Sequence, residues 1–378
     1  MKDTRTDTEN REYRTDAALF AASNSGKGFC SYYKEIFGEK NIFRRYLIKG
    51  GPGTGKSSFM QKVAERVKAE GYPVEYYRCS SDYTSLDAIV IDSGIALIDA
   101  TSPHAVEPEL VGARDEIVDL GSFWNSDMLL AKREEIEAHT KEKADAYSGA
   151  YRFLEGALAV DMRVLEVVQS LIKKNKLENA VERLMRRIPV GRGYCLKTGI
   201  CDSVGIKGRC RLDYYEKVAT KIYVIEDLMR AASFFLETLA VKARERENAI
   251  KVSYDPINPS RIDALLFEES GIAFVVGKEA EFLKYSEKIA GRINMKRFIQ
   301  RSCGCTEEER IKKREFRADV RIYEGLLESA SECLARAGKA HFELERIYGE
   351  SMDFEAEGRF CASMTERICR ELANFERG

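Results

Sequence analysis

The chain has 378 residues, of which 44% are hydrophobic and 33% charged, and its formal net charge is -1. This length admits two ordinary domains, and 61 Lys plus Arg against 62 Asp plus Glu gives no global attraction to nucleic acid or an anionic membrane. No run approaches the roughly 18 apolar residues of a membrane span, and the polar N-terminus lacks the apolar stretch of a signal peptide. The expectation is a cytoplasmic protein with a flexible tail over residues 1–14, with no membrane partner and no nucleic acid indicated. Ten cysteines are present, including Cys303 and Cys305, but no CxxC pair. Reduced thiols are therefore expected rather than a zinc site.

In chain order, Arg45 to Lys49 (RYLIK) predicts a short strand, followed by a Gly-rich loop. Phe59, Met60, Val63 and Val67 then recur at helical spacing, and Gly71 stops that helix. VEYY at 74–77 predicts a second strand. AIVI at 88–91 and IALI at 95–98 predict two more, buried and β-branched. Strands alternating with a helix imply a parallel sheet with helical crossovers. From about Leu129 to Arg187 the chain is densely charged and almost free of Pro and Gly. Leu154, Leu158, Met162, Leu165, Val168 and Ile172 mark an amphipathic helix face there. A second helical region runs from about Glu279 to the C-terminus.

The chain repeats itself. SLDAIVIDSGIALIDA at 85–100 aligns with SRIDALLFEESGIAFVVG at 260–277, so that Asp87 meets Asp263 and Ser93-Gly94-Ile95-Ala96 meets Ser270-Gly271-Ile272-Ala273. Tyr32-Tyr33 resembles Tyr214-Tyr215, and Phe59 and Ala64 resemble Phe235 and Ala240. A tandem duplication joined between Arg187 and Cys195 accounts for this. Where the first copy reads GGPGTGKSS, the second reads EDLMRAASF. Glu226 and Asp227 there are expected to repel phosphate, and Thr101 to Trp124 has no evident counterpart. The second copy is expected to be a structural or regulatory pseudo-domain.

Gly50-Gly51-Pro52-Gly53-Thr54-Gly55-Lys56-Ser57 fits G-x-x-x-x-G-K-[ST] in full, after a strand and before a helix. Glycines let main-chain N–H groups approach phosphate, and the helix start adds its positive dipole end. Lys56 is expected to reach the β- and γ-phosphates and Ser57 to coordinate Mg²⁺, with Ser58 a further phosphate contact. A strand-end acid should complete the metal shell, with Asp99 preferred over Asp92 because Asp92 stays acidic (Glu269) in the blank copy. Ala100, not Glu, follows Asp99, which argues against fast hydrolysis. Asp82, Asp115 and Glu116 are the candidate bases, and Glu116 is the expected catalytic carboxylate beside Lys56 and Asp99. Thr101 and His104 follow the metal strand, placed to sense the γ-phosphate or an acceptor. Arg44, Arg45 and Arg114 are read mainly as solvated surface charges, and Trp124 as a core anchor.

The segments LFAASNSGKGF, YLIKGGPGTGKSS, CSSDYTSLDAIVI, IALIDATSPH and DEIVDLGSFW together resemble a group of uncharacterised tandem P-loop ATPases of Gram-positive, clostridia- and bacillus-like bacteria. The resemblance covers about Leu19 to Trp124. It implies a duplicated P-loop NTPase fold, ATP bound at residues 50–58 and a metal role for Asp99; it implies no substrate. The missing second P-loop departs from the tandem pattern.

The expected organisation is a P-loop nucleotide-binding domain over 15–128, a helical region over 129–190, a degenerate P-loop-like domain over 191–278 and a second helical region over 279–378. The expected function is binding of ATP and Mg²⁺ by a slow ATPase that works as a switch, reporting to a protein partner through the helical regions. A small-molecule kinase and a non-hydrolysing nucleotide-binding scaffold are the alternatives. ATP is preferred to GTP because no N/T-K-x-D pattern stands at a suitable strand end.

Overall fold

The computed structural model describes residues 17–38, 42–92, 94–103, 105–227, 230–300 and 307–375. The expected tail at 1–14, His104, and Cys303 with Cys305 lie outside them. The first half contains β1 (Ala18–Phe20), β2 (Ala22–Ser25), β3 (Gly28–Ser31), α1 (Tyr33–Phe37), β4 (Arg44–Lys49), α2 (Lys56–Ala69), β5 (Val74–Arg78), β6 (Leu86–Ile91), β7 (Ile95–Asp99) and β8 (Asp115–Asp119). Three helices follow: α3 (Ser126–Ala131), α4 (Arg133–Leu171) and α5 (Lys174–Met185). The second half repeats the pattern with β9 (Leu196–Thr198), β10 (Asp202–Gly205), β11 (Gly208–Arg211), α6 (Tyr214–Val218), β12 (Lys221–Glu226), α7 (Ala232–Glu245), β13 (Ile250–Tyr254), β14 (Ile262–Phe267), β15 (Ile272–Val276) and β16 (Ile289–Asn294). It ends in α8 (Glu307–Glu350) and α9 (Phe354–Phe375).

The two halves carry the same six-stranded sheet. The strand order is β1-β5-β6-β7-β4-β8 in one and β9-β13-β14-β15-β12-β16 in the other. Duplication is thus established by topology, on firmer ground than the weak sequence match. Two expectations are corrected. The sheets are mixed rather than parallel, because β6 and β14 run antiparallel to both neighbours. The β6–β7 connection, residues 92–94, is too short for a crossover of a dozen or more residues, so the strands must reverse. The second domain also continues past residue 278: β16 is the counterpart of β8, so the region around 101–124 does have a partner.

Alternate residues of β4 serve two cores, as a strand's period of two requires. Leu47 joins a central core with Tyr77, Ile98 and residues of the second sheet, including Val224 and Val275, with Tyr33 of α1 and Tyr214 of α6 between them. Tyr46 and Ile48 face outward onto α2, through Phe59, Met60 and Val63, and onto α9, through Cys361, Met364 and Ile368. The outer face of the second sheet is covered likewise by α7 and by Leu177, Val181 and Met185 of α5.

The helices that follow each half therefore cover the other half. Helix α5 packs on α7, and α9 on α2. Matching backbone bonds lock the exchange: Lys173 N donates to Phe298 O at 2.7 Å and Asp353 N to Phe123 O at 2.9 Å. Between the halves, α4 and α8 form the most extensive contact between elements, along Ala150, Leu154, Ala157, Ala330 and Leu334. Among the described residues no helix is long and apolar enough to cross a membrane.

Candidate functional site

The loop 50–55 leaves the carboxyl end of β4, a strand buried along its middle and paired in parallel with β7 and β8. Its conformation favours glycine at three places, the first being Gly50 at φ 155. Gly53 has φ 67, and a Cβ there would lie 2.4 Å from the Glu345 carbonyl oxygen of α8. Gly55, at φ 83, is the left-handed residue from which α2 starts. Thr54 is buried, and its Oγ1 donates to Gly51 O at 2.9 Å, which closes the loop.

Lys56 opens α2 and folds back over the loop. Its Nζ donates to Gly50 O at 3.0 Å and Gly51 O at 2.7 Å, and lies 3.7 Å from Asp99 Oδ2. No side chain caps the start of α2, and no acidic residue lies in its first turn. Its first N–H groups and dipole are thus left to an anion from outside the helix. Ser57 Oγ accepts from Leu86 N at 3.0 Å, while Ser58 is exposed. Pro52 is partly buried in the loop.

Strand direction separates the two candidate acids. Asp99 ends β7, parallel to β4 and paired with Ile48, so it stands at the loop's edge of the sheet. Its Oδ1 accepts from Thr101 N at 3.0 Å and Thr101 Oγ1 at 2.5 Å. Asp92 follows antiparallel β6, hence lies at the opposite edge, in a tight turn at φ 47. It is a turn residue. Antiparallel pairing also brings a carboxylate that the sequence analysis did not assign. Ala88 pairs with Ile98, so the next position outward sets Asp87 opposite Asp99. Asp87 is buried, and after burial itself the charges of Asp87 and Asp99 are what push the Tyr33 hydroxyl upward. The available signal was the match of Asp87 with Asp263 in the repeat.

The remaining candidates are held elsewhere. Glu116 lies beside Tyr46, midway along β4, and pairs with Arg44 and Arg367 rather than approaching the loop. Asp115 is buried between Arg45 and Arg114; burial opposes its charge, but hydrogen bonds from both guanidiniums hold it well below the usual carboxylate range. The three arginines thus brace β8 instead of being solvated. Asp82 Oδ1 accepts from Thr84 N and Oγ1, a turn cap. Trp124 is not a core anchor. It stands 5.7 Å from the Tyr348 ring, and a Cβ on Gly51 would meet both rings, at 3.5 and 3.0 Å. The α8–α9 junction thus packs on the loop, with the buried Glu357 Oε1 3.2 Å from a Cβ built at Gly55.

The second half replaces this arrangement with internal partners. Five residues (227–231) connect β12 to α7, where six (50–55) connect β4 to α2. Asp227 therefore matches Gly50 rather than Gly51. Its Oδ1 accepts from Ala232 N at 2.9 Å, so a carboxylate of the chain occupies the helix start. This corrects the expectation of simple repulsion for that residue. Glu226 instead accepts from Asn294 Nδ2 at 2.7 Å. Arg230 pairs with Asp161 of α4 at 2.7 Å and lies 3.9 Å from the centre of the Tyr323 ring of α8.

No group of three or more His, Cys, Asp or Glu among the described residues is placed to hold a metal ion. Magnesium in a phosphate site needs less from the protein: a hydroxyl, one or two carboxylates, phosphate oxygens and water. Ser57 and Asp99 are of the right kind for that set. The described cysteines are free thiols. Comparison with protein-family models, curated proteins and solved structures found no match.

Proposed function

We propose that the first half binds one Mg-nucleoside triphosphate, ATP by preference, through residues 50–58, and that the chain is a slow ATPase acting as a nucleotide-dependent switch. The observation that carries this is the contrast between the halves. Helix α2 starts uncapped, with Lys56 and Asp99 beside it; helix α7 starts on the carboxylate of Asp227. The uncapped start suits a phosphate from outside the helix and the start held by Asp227 does not. Ser57 and Asp99 would hold Mg²⁺, which supplies charge neutralisation of the phosphates when bound. Lys56 would exchange its loop carbonyls for phosphate oxygens.

Helix α8 supports the switch. It touches the second half's loop through Tyr323 and the first half's through Glu345. Rearrangement of residues 50–55 on binding would bear on a rigid element spanning both halves. The distance of Glu116 from the loop and Ala100 after Asp99 favour low turnover, so a non-hydrolysing nucleotide-binding scaffold is the second reading. Phosphate release under single-turnover conditions separates the two. A slow, Mg²⁺-dependent release lost in Lys56→Ala supports the ATPase, and bound, intact ATP supports the scaffold.

A further inference from the structure

Lys143 lies on α4, the first half's long helix, and is half-buried. Among the described residues it makes no ion pair or hydrogen bond. Its setting is fixed by neighbours. One turn later, Tyr147 Oη meets Ser81 Oγ at 2.8 Å, beyond the carboxyl end of β5 on the loop's side of the sheet. Across the helix pair, Glu135 meets Arg346 at 3.1 Å and a Cβ on Gly149 would lie 3.3 Å from Cys333 Sγ, which brackets Lys143 along α4.

The duplication places it more closely. The Ile172–Ile299 and Trp124–Met352 bridges are counterparts, so Ile172 and Met352 mark the same point after α4 and α8. Lys143 stands 29 residues before Ile172, and Tyr323 stands 29 before Met352. Tyr323 is the residue whose ring meets Arg230, in the second half's loop, at 3.9 Å. By that equivalence Lys143 is set toward residues 50–55, as Tyr323 is toward Arg230. Burial, followed by the charge of Lys56, lowers the Lys143 pKa, with Glu345 opposing. Two ammonium groups thus share a neighbourhood at an uncapped helix start.

We infer that Lys143 is a phosphate-binding residue of the nucleotide site, reaching the terminal phosphate from α4 while the loop and Lys56 hold the inner phosphates. This rests on the nucleotide-binding reading above. An anion between Lys56 and Lys143 turns a repulsion into two attractions, and it ties α4, hence the α4–α8 pair, to the presence of the last phosphate. In the second half the same position carries an aromatic ring, and the cation beneath it, Arg230, is already paired with Asp161.

The test is calorimetric titration of the full chain with Mg-ATP and Mg-ADP. Lys143→Met keeps the aliphatic stem and removes the charge; Lys143→Arg restores a cation. The expected result is that Lys143→Met loses about ten- to a hundredfold in ATP affinity, the scale of a hydrogen bond to a charged group. Its ADP affinity stays within about twofold, and Lys143→Arg recovers most of the loss. An unchanged ATP-to-ADP ratio in Lys143→Met, with wild type binding ATP, overturns this inference alone. An equal loss for both nucleotides assigns Lys143 a structural role and overturns it too. Failure of wild type to bind either nucleotide overturns the nucleotide reading, and this inference with it.

Discussion

Lys56 Nζ lies 3.7 Å from Asp99 Oδ2, across the gap between the loop after β4 and the end of the adjacent strand β7. Two oppositely charged groups meet at the carboxyl edge of the sheet, where open α/β sheets bind ligands. Removing the lysine removes the charge that the γ-phosphate would meet, together with two hydrogen bonds to the loop carbonyls. Lys56→Ala is expected to abolish Mg-ATP binding while leaving the thermal midpoint within a few degrees, checked by calorimetry and circular dichroism. Retained turnover in that variant would contradict the site.

Asp99 and Asp92 are to be separated by mutation. Asp99→Asn is expected to weaken the Mg²⁺ dependence of ATP binding by about tenfold or more, the scale of a charge-assisted contact. Asp92→Asn, at the far edge of the sheet, is expected to change it by less than about twofold. Titration of ATP at several Mg²⁺ concentrations distinguishes them, and equal effects would argue against the assignment by strand direction.

Asp227 stabilises rather than binds. Removing the carboxylate that accepts from Ala232 N, by Asp227→Ala, should cost about 1 kcal/mol, the scale of a lost helix-start hydrogen bond. Nucleotide affinity should not change. Urea denaturation with parallel calorimetry measures both, and a large loss of affinity would mean that the second half takes part in nucleotide binding.

The exchanged last helix predicts a distant effect. Ile368 of α9 is fully buried against the first sheet's outer core. Ile368→Ala should cost about 2–5 kcal/mol, the range for large-to-small core changes. Because α9 holds the α8–α9 junction over the loop, ATP affinity should fall as well. Loss of stability with unchanged affinity would show that the junction does not support the site.

Asp263 predicts the pH response of the second half. Burial, then the charges of Asp202 and Asp255, push its carboxyl up to about 7, against Ser253 and Arg211. Its Oδ1 is buried without a partner among the described residues. A carboxyl raised in the folded state contributes stability that is full below its unfolded value, near 3.8, and is lost as pH rises through about 7. Asp263→Asn should therefore flatten the fall in thermal midpoint between about pH 4 and 8. An unaltered pH profile would show that other groups set it.

The loop from Gly50 to Ser57 was legible because its signals are local: a strand, turn glycines, a lysine and a helix that follow one another directly from Arg44 to Ala69. The duplication was legible for the same reason, through short matched segments. Neither the strand direction that sets Asp92 at the far edge of the sheet nor the placing of Glu116 could be read that way. Each depends on which strand lies beside which and in what direction, set by pairing across the chain. The packing of Tyr348 on Gly51 and of α9 on α2 depends on contacts some 300 residues apart. The helical stripe shows that α9 buries a face, but not which half receives it.

The proposed function requires a single working phosphate site in a duplicated chain. It is tested most directly by calorimetric titration of the nucleotide-stripped protein with Mg-ATP, beside Lys56→Ala. One ATP per chain, lost in the variant, is expected. Two per chain, or one that survives Lys56→Ala, would contradict it.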